Sequence, residues 1–135
     1  MPKATLFENL LKGHMKRAGI RFQAQFPVKY GKEWGTFTGR QRYLDFWLPG
    51  CRWAVEVDGG YHREIRQTLY DEARQELISR HIHPHRFVRL TNSQVAKGKN
   101  SPELTAFLAE AYDAQRLCDL VDFFVRDSFK KTRSR

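Results

Sequence analysis

At 135 residues the chain has room for one domain built on one core, and a composition 41% hydrophobic and 13% aromatic excludes an intrinsically disordered protein. No apolar run approaches the roughly 20 residues of a membrane span, the start lacks a signal-peptide pattern, and Cys51 and Cys118 are too few and too far apart for a disulfide framework or a zinc module. An intracellular, reducing setting without a membrane partner is expected. Twenty-four Lys and Arg against fifteen Asp and Glu leave a net charge of +9, which points to a polyanionic partner, most simply nucleic acid; a generally basic surface would give the same total.

The first predicted element is a helix over 5–18. Thr5 suits the N-cap, Thr5-Leu6-Phe7-Glu8 fits a capping box, Phe7, Leu10, Leu11, Met15 and Ala18 repeat at helical spacing, and Gly19 is a stop. Glu8 therefore has a structural role as capping partner. Residues 22–30 predict a strand, with Phe22, Ala24 and Phe26 alternating with Gln23 and Gln25. Residues 31–41 are rich in glycine and predict a loop or an irregular hairpin end. Trp34 there sits among Lys29, Lys32, Arg40 and Arg42, an interleaving that suits nucleic-acid contact by stacking and charge; Trp34 could equally pack the loop down.

Residues 43–62, YLDFWLPGCRWAVEVDGGYH, predict two strands joined by a turn at Pro49-Gly50-Cys51. A turn centred between Gly50 and Cys51 sets Leu48 opposite Trp53, Phe46 opposite Val55 and Leu44 opposite Val57, an all-apolar face. The other face then carries Tyr43, Asp45 and Trp47 opposite Asp58, Glu56 and Ala54. Asp45 across from Glu56 places like charges about 4.5–5.5 Å apart at Cβ, a destabilising arrangement that a bound cation would relieve. On that basis Asp45→Ala should leave the fold intact or even stabilise it. Solvated acids on a half-buried hairpin are the plain alternative. Against it stand three acids clustered in a basic protein, and Gly59-Gly60, which frees the backbone so that His62 can fold back over the strand end. Imidazole titrates near neutral pH and suits general-base work.

Further on, Ile65, Leu69, Ala73 and Leu77 predict a helix over 64–80, with Asp71 off the apolar stripe among Arg66, Glu72 and Arg74, where a surface ion pair is the plain role. Residues 85–91 predict a strand. His81, His83 and His85 alternate before it, but Pro84 interrupts them and no cysteine is near, so surface or DNA-facing histidines are expected rather than zinc ligands. Residues 92–100 are polar. Ser101-Pro102-Glu103 starts a helix expected to run to about residue 128. Phe123, Phe124 and Phe129 exceed its single apolar stripe, so part of it is expected to meet a partner chain, giving a homodimer. The tail 130–135, KKTRSR, is expected to be disordered and to add phosphate affinity.

LDFWLP–CRWAVEVDGGYH followed by YDEARQELISRHIHPHRFVRLTNSQV resembles the very-short-patch-repair (Vsr-like) endonuclease group, and more closely its small relatives with the EDxHD signature, within the PD-(D/E)XK nuclease superfamily. The likeness covers about residues 5–95. It implies one nuclease domain over 1–135 with an α/β (strictly α+β), restriction-endonuclease-like core: a mixed sheet of about four strands flanked by helices. It implies a DNA endonuclease dependent on Mg²⁺ or Mn²⁺, encoded by a bacterium or phage and working in the cytoplasm. Glu8, Asp45, Glu56, His62 and Asp71 match the catalytic positions. Asp45 and Glu56 would hold the metal, and Lys29, Lys32, Trp34, Arg40, Arg42, Tyr61 and Arg63 would contact nucleic acid. Asp58 stands where many members carry a lysine, so water activation falls to His62 or to the metal. Vsr-type repair enzymes also carry a structural zinc, for which the cysteines are lacking; a phage or mobile-element nuclease is at least as good a match. A non-catalytic binder on the same fold and an RNA-directed nuclease are the alternatives, the intact acid set counting against the first.

Overall fold

The computed structural model describes residues 4–28, 42–59, 72, 75–76, 79–80 and 82–133, of Arg42 and residues 131–133 the backbone alone. The fold is α+β. A helix, α1 (Leu6–Arg17), precedes three strands, β1 (Gln23–Val28), β2 (Arg42–Leu48) and β3 (Trp53–Asp58); β4 (Arg86–Thr91) follows, then a short helix α2 (Asn92–Lys97), a 3₁₀ turn (Gly98–Asn100) and a long helix α3 (Pro102–Arg133). Glu72, Gln75, Glu76, Ser79, Arg80 and Ile82 are also helical, in and just beyond the stretch predicted as a helix over 64–80. The predicted loop 31–41 lies outside the described residues.

Local chemistry accounts for the element ends. The Thr5 hydroxyl accepts the Glu8 N–H at 3.1 Å, and Gly19 leaves the helix at φ 76°, so both predicted signals of α1 operate. The 92–100 stretch is a missed element: Thr91 and Gln94 form a reciprocal capping box that starts α2. The tail is a correction, since α3 continues as helix through Arg133 rather than ending near residue 128.

The sheet order is β1-β2-β3-β4, antiparallel for the first two pairs and parallel for the last. Phe46 pairs with Val55, Trp47 with Ala54 and Leu48 with Trp53, as the turn-centred register requires. Both faces are covered. On one, Phe46, Leu48, Trp53, Val55, Val88 and Leu90 meet Leu11 and Met15 of α1, Val95 of α2 and Leu104, Phe107 and Ala111 of α3. On the other, Val28, Leu44, Trp47 and Ala54 pack with Phe26, Ile82 and Phe87. The face read as polar in the sequence is therefore largely interior.

Helix α3 is fastened to the hairpin turn by one buried polar side chain. Gln115 donates from Nε2 to the carbonyls of Arg21 (2.8 Å) and Pro49 (3.0 Å), and its Oε1 accepts the Arg21 N–H at 3.0 Å. One amide thus satisfies three backbone groups, two of Arg21 and one of Pro49, all far from it in sequence. Gln115→Leu, of similar size, should destabilise the protein by about 1–3 kcal/mol, because it leaves those groups without a partner. Urea denaturation checks this; a midpoint equal to wild type would show that the clamp holds nothing.

Candidate functional site

The β2–β3 ladder stops at Phe46–Val55, although both strands continue. Beyond that point β2 pairs with β1 alone, through Leu44–Phe26 and Tyr43–Pro27, and β3 pairs with β4 alone, through Glu56–Arg89, Val57–Leu90 and Asp58–Thr91. The two central strands thus part as a fork. In it the Asp45 carboxylate accepts the Val57 N–H at 2.8 Å, filling the place of a carbonyl from β2. The predicted Leu44–Val57 pair does not form: Leu44 packs in the second cluster and Val57 against the first.

A local distortion shapes the outer arm of the fork. The β1–β2 register on either side sets Gln25 opposite Asp45, yet these two do not pair, and Gln25 takes φ 53°. Residues two apart in a regular strand share a face. Here Ala24 and Phe46 lie with the first cluster while Phe26 and Leu44 lie with the second, so the ribbon exchanges its faces at Gln25–Asp45. A left-handed backbone at a residue other than glycine costs of order 1–3 kcal/mol and persists where its surroundings over-determine it. At this point Gln25 Nε2 donates to Glu8 Oε2 at 2.9 Å.

Glu8 comes from the first turn of α1, on the stripe that buries Leu11 and Met15, and is itself only 8% exposed. Burial pushes its carboxyl above the ordinary 4.5, and the charge of Asp45 pushes it further; hydrogen bonds with the backbone and hydroxyl of Thr5 and the charge of Lys12 oppose them. Glu8 therefore keeps its capping role and also faces Asp45 across the fork. The like-charge neighbour that matters to Glu8 is Asp45.

The other arm carries a second group. Glu56 is 5% exposed and lies between Val55 and Val57, which point to the first cluster, so it shares the opposite face with Ala54. Arg89, its pairing partner on β4, reaches Asp58 Oδ2 at 3.4 Å and Gln75 Oε1 at 3.1 Å, and stacks over the Phe87 ring. Sequence reasoning missed Gln25, Gln75 and Arg89. The signal for Arg89 was a single basic residue between two buried apolar ones in a short strand; for Gln25 nothing in the local pattern distinguished it from Gln23.

Of the predicted catalytic set, Glu8 and Asp45 are brought together, and Glu56 lies on the adjacent strand. Among the described residues no group of three or more His, Cys, Asp or Glu is assembled to hold a metal ion. His62 and Asp71 lie outside the described residues, as do Lys29, Lys32, Trp34, Arg40, Tyr61 and Arg63; Arg42 is placed by its backbone alone, at the start of β2 opposite Val28. His83 and His85 are exposed at the start of β4, the end of the sheet away from the fork. No helix of the described residues is long and apolar enough to cross a membrane. The chain matches no protein-family model, no curated protein and no solved structure.

Asp45 also revises an expectation. Asp45→Ala would remove the acceptor for the Val57 N–H, so it carries a structural cost alongside any relief of repulsion. Glu8→Gln is the cleaner probe of electrostatics, because the amide oxygen still accepts from Gln25. A raised carboxyl favours the folded state below the ordinary carboxylate range and loses that contribution as pH rises through the folded value. Glu8→Gln should therefore raise Tm by a few degrees at pH 7, and the gap should close by about pH 4, given roughly 2–8 °C per kcal/mol for domains of this size. Thermal unfolding at the two pH values checks it; an equal effect at both would sink the electrostatic account.

Proposed function

We propose that this chain is a divalent-metal-dependent DNA endonuclease with a restriction-endonuclease-like core, allied to the Vsr-like EDxHD group. The observation that carries the reading is the meeting of Glu8 and Asp45, from α1 and β2, at the mouth of a fork between the central strands. Those are two of the acids that the resemblance assigns, and setting one carboxylate against another in a buried place is costly, a cost that a bound cation would relieve. The mixed four-stranded sheet with helices on it supports the same reading.

The donors suit a hard cation. Carboxylate oxygens favour Mg²⁺ or Mn²⁺ over softer metals, and Asp45 and Glu56 are the residues that would hold it. Such an ion would neutralise charge on the phosphodiester and make a water more acidic. The remaining work falls to side chains of the chain itself. Glu8 holds a proton more firmly than an exposed glutamate, so it can exchange one with water in the fork. Arg89, steadied by Asp58 and Gln75, offers a fixed guanidinium to a phosphate oxygen. His62 accepts a proton and Asp71 orients it. Lys29, Lys32, Arg40, Arg42 and Arg63 hold the DNA backbone, with Trp34 and Tyr61 stacking. A phage or mobile-element nuclease of the bacterial cytoplasm is the setting.

Supercoiled plasmid, single-stranded DNA and RNA incubated with and without Mg²⁺ or Mn²⁺ test this. Plasmid should be nicked or linearised only with metal. Asp45→Asn keeps an acceptor for Val57 and removes the like charge beside Glu8, so it should abolish cleavage with an unfolding midpoint no lower than wild type. His62→Ala should slow it about 10²–10⁴-fold while DNA is still bound. Cleavage of RNA alone would reassign the substrate, and full activity in Asp45→Asn would remove the fork from the chemistry.

A further inference from the structure

The C-terminal ends of α1 and α2 meet in a seam that gathers cations and no acid. Residues 9–20 contain Lys12, Lys16 and Arg17, and residues 92–102 contain Lys97 and Lys99; neither stretch has an Asp or Glu, in a chain that carries fifteen. The acids that bound the two stretches are turned elsewhere. Glu8 is buried at the fork, and Glu103 accepts the Ser101 hydroxyl at 3.2 Å. Arg21, Arg80, Arg86 and Arg89 are each paired with an acid. Among the described residues Arg17, Lys97 and Lys99 are in no ion pair, and all three are exposed.

One imidazole holds the seam together. Arg17 Nη2 donates to His14 Nδ1 at 2.9 Å, so Nε2 carries the ring proton and donates to the Val95 carbonyl at 3.1 Å. Gly98 follows at φ 56°, and a Cβ on it would lie 3.3 Å from His14 Cε1, so a side chain there would be strained and would crowd the ring. Lys97 and Lys99 flank that glycine. Three cations from two elements are thus gathered at His14, Arg17 by direct contact and the lysines as the neighbours of Gly98. Gathering like charges is unfavourable in the free chain, and a polyanion offsets it.

The seam lies beside the fork. Glu8 is in the first turn of α1, and Thr91, which caps α2, pairs with Asp58 at the open end of β3. From Glu8 to His14, and again from Thr91 to Lys97, is about 9 Å of helix at 1.5 Å per residue. A DNA strand rises about 3.4 Å per phosphate, so roughly three nucleotides cover that distance. A duplex with one phosphate at the fork can therefore lay its next phosphates along the seam.

We propose that the α1–α2 seam binds the sugar-phosphate backbone of duplex DNA through Arg17, Lys97 and Lys99. This rests on the DNA substrate proposed above and not on cleavage. Fluorescence anisotropy of a labelled duplex, measured in a chelator so that no metal supports cleavage, tests it. Each phosphate contact contributes about 0.9 to the slope of log K against log salt. Lys97→Gln with Lys99→Gln should lower that slope by about 2, equally for unrelated sequences, and Arg17→Gln should lower it by about one more. Arg116→Gln with Arg126→Gln removes the same charge from exposed sites on α3 and should leave the slope nearly unchanged. Equal effects of the two pairs would reduce the seam to general basic charge and overturn the proposal. Wild-type binding to phosphatidylserine vesicles but not to the duplex would overturn it too. A seam variant that loses slope, beside a wild type that never cleaves with Mg²⁺, would overturn the nuclease reading and leave the seam standing. Metal-dependent cleavage with an unchanged slope in the seam variant would do the reverse.

Discussion

The hydrogen bond from the Val57 N–H to the Asp45 carboxylate marks the place where the sheet stops being continuous. A ladder between β2 and β3 running the full length of both strands would bury that N–H against a β2 carbonyl and leave no opening. Instead a side chain supplies the acceptor, β2 stays with β1, and β3 stays with β4. Each strand keeps one partner, so the fork costs few backbone hydrogen bonds. The same bond brings an acid into the opening and anchors it there. Asp45 is thus a structural and a candidate chemical residue at once.

The electrostatics of the fork follow from where its acids are mounted. The first turn of a helix favours a carboxylate, through its free N–H groups and the helix dipole. Glu8 has that advantage and the Thr5 contacts, yet its proton affinity is raised, so burial and Asp45 outweigh them. Of the basic groups that give the chain its net charge of +9, Lys12 opposes the shift at Glu8 without cancelling it, and exposed charges farther off are screened beyond about 10 Å at ordinary ionic strength. Arg89 serves the neighbouring arm, where it is taken up by Asp58 and Gln75.

Much of the frame was legible because it rests on short-range signals. The Thr5 cap, the Gly19 stop and the hairpin register nearest the turn all follow from two or three residues each, and each is observed, whereas the pairs predicted farther out, Leu44–Val57 and Asp45–Glu56, do not form. The burial of both sheet faces was harder to read. Trp47 and Ala54 look like the outer face of a hairpin until Phe26, Ile82 and Phe87, distant in sequence, close over them. The fork was not legible at all. Its cause is a conflict between two neighbours for one strand, and a pattern of alternation carries no trace of which neighbour wins. Gln25 shows the same limit, since its left-handed backbone answers to Glu8 and Asp45 rather than to its own flanks.

The candidate site is built into the core rather than set upon it. Glu8 stands one turn before Leu11 on the same buried stripe of α1, Asp45 lies between Leu44 and Phe46, Glu56 between Val55 and Val57, and Arg89 between Val88 and Leu90. Every one of these polar groups has buried apolar neighbours that fix its backbone to the packed interior. Interiors at close-packed density transmit small shifts, because no slack exists to absorb them. Side-chain volume removed at Phe46 or Val55 would therefore move the arms of the fork relative to one another as well as lower stability. The same rigidity keeps two carboxylates facing each other when repulsion alone would part them. The core thus holds the acids in an arrangement that surface side chains, free to turn into solvent, would not keep.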